Sequence, residues 1–127
     1  MGLILDTNAL SAIAEGDSGA VEAFVRARRV TVPVIVLGEY RFGIANSRHR
    51  EEYERWLQQV VSICPVLEVN EQTAACYARV GGQLREAGTP IPSNDVWIAA
   101  LCEQHVLPIL SRDRHFDLVK GLRRIEW

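Results

Sequence analysis

Short apolar runs that end in polar residues recur along the chain, and they indicate buried β-strands. The first run, residues 3–5, is aliphatic throughout and stops at an acidic residue. Residues 30–32 are all β-branched and stop at a proline, and further apolar runs occupy residues 66–69 and 107–110. Short runs without polar alternation are typical of strands covered on both faces, as in parallel sheets. The last residues, 123–127, fit a final edge strand.

The segments between these runs repeat apolar residues at helical spacing. They predict two short helices with a break at residues 16–18, and then helices over residues 33–46, 48–61, 71–87 and 94–105. The helices at residues 33–46 and 48–61 predict a protruding helical hairpin. Strands and helices that alternate in this way predict an α/β domain with a mainly parallel central sheet of about five short strands and helices on both faces.

Size and composition are those of one compact unit. With 127 residues, 48% of them hydrophobic, the chain can bury a core without disulfides, so we expect residues 1–127 to form a single domain.

No apolar stretch approaches the ~18 residues of a membrane span, which predicts a cytoplasmic protein that does not associate with membranes. The three cysteines, Cys64, Cys76 and Cys102, fit reduced, buried thiols. A formal charge of -2 excludes a globally basic nucleic-acid-binding protein but not a local basic groove.

Two of the predicted strands end in the same way, with a hydroxyl and an acid. Asp6 and Thr7 follow the first strand, and Ser111 and Asp113 follow the strand at residues 107–110. Parallel strands place their carboxyl ends at one edge of the sheet, which is where ligands bind. Asp6 would equally suit the N-cap of the helix that follows it. The sequence alone leaves both roles open.

Two further acids lie on the apolar sides of predicted helices. Glu39 has apolar residues one turn before and one turn after it, at Ile35, Val36 and Phe42. Asp95 lies in the first turn of its helix, where an acid interacts favourably with the helix dipole, and it heads an apolar face. We therefore expect both acids to point inward, towards the same edge of the sheet.

Four converging acids without an internal lysine or arginine predict a bound cation. Carboxylates in such a cluster repel one another and raise one another's pKa unless a positive charge joins them. Oxygen ligands without cysteine or clustered histidine favour Mg²⁺ or Mn²⁺. Such an ion neutralises a phosphate, lowers the pKa of a water molecule and stabilises a leaving oxygen, so the pattern favours hydrolysis of a phosphodiester.

The four acidic motifs together resemble one known family. Asp6 in LILDTNAL, Glu39 in VIVLGEYRFGI, Asp95 in IPSNDVWIAA and Asp113 in ILSRDRHF resemble, in this order and at these spacings, the PIN-domain ribonucleases, and particularly their VapC-type toxin members. The likeness spans nearly the whole chain. It implies a PIN fold, magnesium- or manganese-dependent endonucleolytic cleavage of RNA, a homodimer, and inhibition by a cognate antitoxin protein in a toxin-antitoxin pair.

The resemblance also implies a set of site residues. The acids that bind the metal and carry catalysis are Asp6, Glu39, Asp95 and Asp113, and the adjoining hydroxyls are those of Thr7 and Ser111. The fourth acid is the least defined of the set, because Asp117 lies nearby and is the alternative for that position.

Three basic residues surround the fourth acid in the sequence. Arg112 and Arg114 flank Asp113, so their guanidinium groups are candidates for contacts with RNA phosphates, although solvated loop charges are an equal interpretation. We interpret His115 and the following Phe116 as residues that pack the loop.

Two open questions concern partners and activity. The predicted hairpin carries more apolar surface than a small domain needs, including Tyr40, Phe42 and Trp56, which favours a protein interface there. A catalytically silent PIN-like domain that only binds RNA or a protein is the alternative to the ribonuclease. Metal-dependent cleavage of single-stranded RNA separates the two.

Overall fold

The structure is a computed structural model that describes residues 2–127. Its strands form one five-stranded sheet, composed of β1 (Gly2–Leu5), β2 (Arg29–Pro33), β3 (Val66–Leu67), β4 (Ile109–Leu110) and β5 (Arg124–Ile125). The strand order is β3-β2-β1-β4-β5, and every pairing is parallel. The predicted parallel sheet is therefore confirmed, with β1 in the centre and β5 at one edge.

Helices connect the strands throughout the described part of the chain. They are α1 (Thr7–Ala14), α2 (Ser18–Arg26), α3 (Val34–Ile44), α4 (Arg50–Ile63), α5 (Glu71–Glu86), α6 (Ser93–His105) and a 3-10 helix at Arg114–Leu118. The predicted break between α1 and α2 contains Gly16, whose φ of +78° is readily adopted only by glycine. The elements predicted from apolar spacing are thus all present, with ends shifted by a few residues.

Two helix starts differ from their predicted positions. Pro33 is the last residue of β2 and the N-cap of α3, and it does not lie within the first turn of that helix. Ser93 is the first residue of α6, while Pro92 occupies the N-cap and no side chain caps the helix. Both prolines have φ near −60° and an extended ψ, which suits the residue just before a helix but provides no capping oxygen.

The central strand is covered on both faces. Leu3, Ile4 and Leu5 are 4%, 0% and 0% exposed, although successive strand residues point to opposite faces of the sheet. The long helix α6 is also buried over most of its circumference, with Ile98 and Leu101 fully inaccessible. The sheet end that carries the acids is therefore supported by packed core, so polar side chains placed there are held by a rigid scaffold.

The hairpin of α3 and α4 hides more of its apolar surface than its sequence suggests. Leu37 and Tyr40 of α3 and Leu57 of α4 are buried in the core, which corrects the expectation that Tyr40 belongs to an exposed interface. The ring of Tyr40 packs against that of the half-buried Trp56, with centroids 6.0 Å apart. Phe42 is the exception, because 86% of it is exposed. Of the large apolar residues of the hairpin, Phe42 is thus among those most accessible to a partner.

The cysteines behave as expected for reduced core residues. Cys64, Cys76 and Cys102 are all buried and free, and burial raises the pKa of each thiol. No helix within residues 2–127 combines the length and the apolar character needed to cross a bilayer.

Candidate metal centre and active site

The carboxyl ends of β1 and β4 bring the first group of site residues together. Because Leu5 pairs with Leu110, the residues that follow the two strands lie side by side. Ser111 Oγ donates a hydrogen bond of 2.6 Å to Asp6 Oδ2, and both residues are buried. Asn8 Nδ2 donates to the same carboxylate oxygen at 3.2 Å. One carboxylate is thus held out of solvent by neutral donors alone.

Asp6 combines the two roles that its sequence position suggests. It is the N-cap of α1, and its Oδ1 accepts a hydrogen bond of 2.8 Å from the backbone N–H of Thr7. The N-terminal end of a helix also stabilises a negative charge electrostatically. Capping therefore fixes the orientation of the carboxylate within the cluster and does not remove it from the site.

Helix α3 supplies the second acid, Glu39, which is half-buried. Thr7 Oγ1 donates a hydrogen bond of 2.6 Å to Glu39 Oε1, so the hydroxyl after β1 holds this carboxylate. Asn94 Nδ2 at the start of α6 donates to Glu39 Oε2 at 3.2 Å. Side chains from α1 and α6 therefore meet Glu39 of α3, and each of its carboxylate oxygens accepts a hydrogen bond from a neutral donor.

Helix α6 and the loop after β4 supply the other two acids. His115 Nδ1 lies 2.8 Å from Asp95 Oδ2 and 3.1 Å from Asp113 Oδ1, and the three residues form a compact group with the spacing of metal ligands. Asp113 Oδ1 also accepts the backbone N–H of His115 at 2.9 Å. The interpretation of His115 as loop packing is therefore wrong, whereas Phe116 is fully buried and does pack beneath the loop.

The structure separates the two candidates for the fourth acid. Asp113 lies beside Asp95 and His115, whereas both oxygens of Asp117 are paired with the Arg124 guanidinium at 2.8 and 3.0 Å. This ion pair lowers the pKa of Asp117. Asp117 is thus committed to a contact with β5 at the surface.

The two flanking arginines also have different surroundings. The guanidinium of Arg112 lies 4.5 Å from the centroid of the Trp127 ring and donates to the Trp127 carbonyl oxygen at 3.3 Å. These contacts hold Arg112 against the C-terminal residue. Arg114 is exposed at the start of the 3-10 helix, one residue from Asp113. Of the pair, Arg114 is thus the better candidate for a phosphate contact.

The acids act on one another electrostatically. Burial raises the pKa of Asp6 to about 6, with smaller contributions from the charges of Asp95 and Glu39, although the hydrogen bonds from Ser111 and Thr7 lower it. Burial also raises the pKa of Asp95, with Asp113 and Glu39 adding to the effect and His115 opposing it. The hydrogen bond to Asp95 raises the pKa of His115 in turn. The four sequence-predicted acids therefore share one field, with His115 as a basic group in contact with it.

Three polar residues in this network have no site role in the sequence analysis: Asn8, Asn94 and His115. Asn8 additionally accepts the backbone N–H of Arg112 at 3.2 Å, which ties the loop after β4 to α1. A sequence signal exists for each of the asparagines, since Asn8 lies two residues after Asp6 and Asn94 directly precedes Asp95. For His115 the only signal is its position two residues after Asp113.

The fold is a parallel α/β sheet, and a cluster of carboxylates lies at the carboxyl ends of its central strands. These two features define a class of α/β domains with an acidic site at the edge of the sheet. The chain matches the PIN domain family over residues 3–122, and it belongs to that family. The resemblance drawn from the four acidic motifs is thereby confirmed.

Individual relatives agree with this assignment. Ribonuclease VapC5 of Mycobacterium tuberculosis is 27% identical over 125 residues, which are 97% of this chain and 91% of that protein. The structure is similar to that of a DNA-bound VapBC from Salmonella typhimurium, with a TM-score of 0.88, 25% identity and coverage of 100% of this chain and 98% of the other. It is also similar to VapBC-5 of Mycobacterium tuberculosis, a member of the VapBC family of toxin-antitoxin systems, with a TM-score of 0.78, 25% identity and coverage of 99% and 98%.

Proposed function

We propose that this protein is a divalent-metal-dependent endoribonuclease that acts as the toxin of a toxin-antitoxin pair. The observation that carries the proposal is the convergence of Asp6, Glu39, Asp95 and Asp113 in one field at the carboxyl edge of the sheet. The proposed ribonuclease activity is inferred from ribonuclease VapC5 of Mycobacterium tuberculosis, which aligns with 97% of this chain. The family match over residues 3–122 supports a single nuclease domain over residues 1–127.

The donor set fits a hard divalent cation. Asp6, Glu39, Asp95 and Asp113 would hold it, since Mg²⁺ and Mn²⁺ are bound by a few carboxylates together with water and substrate phosphate. Burial, together with the charges of Asp95 and Glu39, raises the pKa of Asp6, and a cation bound beside it would favour the ionised carboxylate. When bound, the cation neutralises charge on the scissile phosphate, lowers the pKa of a water molecule and stabilises the leaving oxygen.

The residues around the acids hold them in position. Ser111 and the backbone of Thr7 fix the two oxygens of Asp6, while the Thr7 hydroxyl and Asn94 fix those of Glu39. Neutral donors orient a carboxylate without neutralising it, so the cluster keeps the negative charge that attracts a cation. Such supporting hydrogen bonds matter because ligands that are free to rotate bind a metal more weakly.

RNA is the proposed substrate, and Arg114 is the proposed phosphate contact. Its side chain is exposed and lies on the same loop as Asp113, two residues before the buried Phe116. A guanidinium there can donate to the phosphates that flank the scissile bond. Arg112, which is held on Trp127, serves this role only if those contacts break.

A cognate antitoxin and a second copy of the chain are the proposed protein partners. A groove of about 320 Å³ runs beside the acids between α1 and the α3–α4 hairpin, and its lining includes Thr7, Glu15, Glu39 and Tyr53. Two carboxylates in this groove suit an antitoxin segment that carries an arginine, which would occupy the acids and exclude RNA. The VapBC and toxin-antitoxin complexes among similar structures support this assignment.

The alternative is a catalytically silent PIN-like domain that binds RNA or a protein. The complete set of four acids and their supporting hydrogen bonds favours the nuclease, because a binding module does not require a cluster of carboxylates in which burial raises the pKa of Asp6 and Asp95. No feature of the described residues specifically favours the silent domain.

Expression in a bacterial host tests the proposal. Induction of the wild-type chain without an antitoxin should arrest growth, and mapping of RNA ends should reveal new cleavage sites. Asp95→Asn, produced at an equal level, should do neither. Growth arrest by both proteins, or arrest without new RNA ends, would contradict the endoribonuclease assignment.

A further inference from the structure

We propose that His115 Nδ1 is a ligand of the divalent cation, together with Asp95 and Asp113, and that this nitrogen makes the site bind a transition ion such as Mn²⁺ more tightly than Mg²⁺. The inference rests on the proposed metal dependence and deepens it, because four carboxylates alone leave the choice between these ions open. The three residues form a group whose ligand atoms all lie within 4.8 Å of one another.

The distances match those between neighbouring ligands of one ion. His115 Nδ1 lies 2.8 Å from Asp95 Oδ2 and 3.1 Å from Asp113 Oδ1. With metal-ligand bonds of about 2.1 Å, adjacent ligands of an octahedral ion lie about 3.0 Å apart. The imidazole nitrogen and the two carboxylate oxygens are therefore already spaced for shared coordination. Hydrogen bonds have similar lengths, so the test must separate a metal ligand from a hydrogen-bonding partner.

The histidine is held at this place by its backbone. Its N–H donates to Asp113 Oδ1 at 2.9 Å, so the residue and the acid are joined independently of the imidazole. The next residue, Phe116, is fully buried and anchors the 3-10 helix to the core. The backbone that carries the imidazole is thus held beside the acid cluster.

The remaining coordination positions are open to water and phosphate. The side chain of His115 is 46% exposed and that of Asp113 is 32% exposed, whereas that of Asp95 is 13% exposed. The group therefore lies at the mouth of the acid cluster, with Asp95 on its inner side. This position suits an ion that must also contact an RNA phosphate arriving from solvent.

A nitrogen ligand changes the choice of ion. Mg²⁺ is bound by oxygen and keeps its waters, while imidazole favours first-row transition ions, whose affinity for a site with nitrogen rises from Mn²⁺ onward. A carboxylate site to which an imidazole nitrogen is added should thus discriminate against Mg²⁺. Replacing the nitrogen by an oxygen at the same position should remove most of that discrimination and leave Mg²⁺ binding in place.

Mn²⁺ binding to the whole chain provides the measurement. Titration of MnCl₂, followed by the EPR signal of the free ion, gives the Kd, and competition with MgCl₂ gives the ratio of the two affinities. Pulsed EPR on the bound ion should show coupling to a ¹⁴N nucleus. His115→Ala should abolish this coupling and weaken Mn²⁺ binding at least about tenfold, because even the loss of a residue that supports a ligand has an effect of this size.

His115→Asn is the sharper variant, since the Asn side-chain oxygen can occupy the position of Nδ1. It should bind Mg²⁺ as the wild type does, within about twofold, while its preference for Mn²⁺ and its nitrogen coupling are lost. His105→Ala, which changes an exposed histidine at the other end of α6, is the control and should behave like the wild type. Thermal melting of each variant verifies that it is folded.

Three outcomes would overturn the proposal: bound Mn²⁺ without nitrogen coupling, unchanged or tighter Mn²⁺ binding in His115→Ala, and no Mn²⁺ binding by the wild type. Tighter binding in the alanine variant would identify His115 as a hydrogen-bonding partner that the ion displaces. None of these readouts uses RNA. A protein that fails to cleave RNA but shows the nitrogen coupling contradicts the proposed function alone, and a nuclease without the coupling contradicts this inference alone.

Discussion

Ser111 and Asp6, 105 residues apart in the sequence, are joined by a buried hydrogen bond of 2.6 Å between Ser111 Oγ and Asp6 Oδ2. The parallel pairing of β1 with β4 brings the two side chains together, because Leu5 lies beside Leu110 and the next residue in each chain segment carries the polar group. A hydroxyl can orient the carboxylate but cannot neutralise it. The fold therefore builds a buried negative charge whose natural counterion is a cation.

Thr7→Val should reduce catalysis without unfolding the protein. The Thr7 hydroxyl donates to Glu39 Oε1 at 2.6 Å, and valine keeps its shape while removing this donor. We expect kcat for RNA cleavage to fall about 10- to 100-fold, as is usual for residues that orient metal ligands. Thr7→Ser restores the donor and should recover most of the rate. Equal rates for the valine and serine variants would show that the hydrogen bond does not position Glu39.

Asp6→Asn should stabilise the metal-free protein by an amount that depends on pH. In the folded protein the pKa of Asp6 is about 6, above the 3.8 of a free carboxyl, so the folded state holds the proton more tightly. The stability that Asp6 contributes is therefore complete below about pH 4 and is lost as the pH rises through 6. Asparagine does not titrate and remains a good N-cap.

Urea unfolding in EDTA measures this effect. Between pH 4 and pH 7.5, the free energy of unfolding of Asp6→Asn relative to the wild type should rise by up to about 3 kcal/mol, the equivalent of two pKa units. Asp95 and His115 are present in both proteins, so their own titrations largely cancel in the difference. A difference that stays constant with pH would mean that Asp6 titrates normally in the folded state.

Arg114→Ala should weaken RNA binding in a salt-dependent way, whereas Arg112→Ala should not. Arg114 is exposed beside Asp113, while the guanidinium of Arg112 is held on Trp127. In an Asp6→Asn background, which prevents cleavage, loss of one phosphate contact should reduce the slope of log K against log[salt] by about 0.7. Filter binding over a salt series gives the slopes. Reversed effects of the two variants would place Arg112 on the RNA.

Phe42→Ser should weaken antitoxin binding and leave the rate of RNA cleavage unchanged. Phe42 is 86% exposed on α3, whereas its neighbour Tyr40 is buried, so Phe42 can be replaced without damage to the core. Burying a Phe side chain in a complex contributes about 1.5–3 kcal/mol, which corresponds to a loss of roughly tenfold or more in affinity. Val25→Ser on α2, which is 72% exposed, is the matched control. Calorimetry with the cognate antitoxin gives the affinities. Wild-type affinity for the Phe42 variant would exclude this face of the hairpin as the antitoxin interface.

The sheet and the clustering of the four acids are predictable from the sequence because both follow from short-range patterns. An apolar run that stops at a polar residue identifies a strand and its carboxyl end, and this places Asp6 and Asp113 without any knowledge of packing. Helical spacing likewise places Glu39 on the side of α3 that faces the site. These residues are found because their own neighbours in the sequence determine where they lie.

The contacts that the sequence does not predict depend on side-chain rotamers and on distant elements. His115 reaches Asp95 only because the loop after β4 turns into a 3-10 helix beside α6, and the same turn directs Asp117 to Arg124 instead. Tyr40 is predicted to be exposed but is buried, with its ring packed against that of Trp56 on α4. A pattern along one helix cannot show which neighbouring element covers that helix.

If these acids hold a metal that hydrolyses RNA, the purified protein should cleave a short single-stranded RNA at a measurable, metal-dependent rate. With saturating Mn²⁺ or Mg²⁺ the wild type should cleave, EDTA should abolish cleavage, and the metal should restore it. Asp6→Asn should be slower by about 10³-fold, a loss of about 4 kcal/mol of transition-state stabilisation, while it remains folded. Cleavage that persists in EDTA, or a wild-type rate in Asp6→Asn, would show that these acids do not hold a catalytic metal.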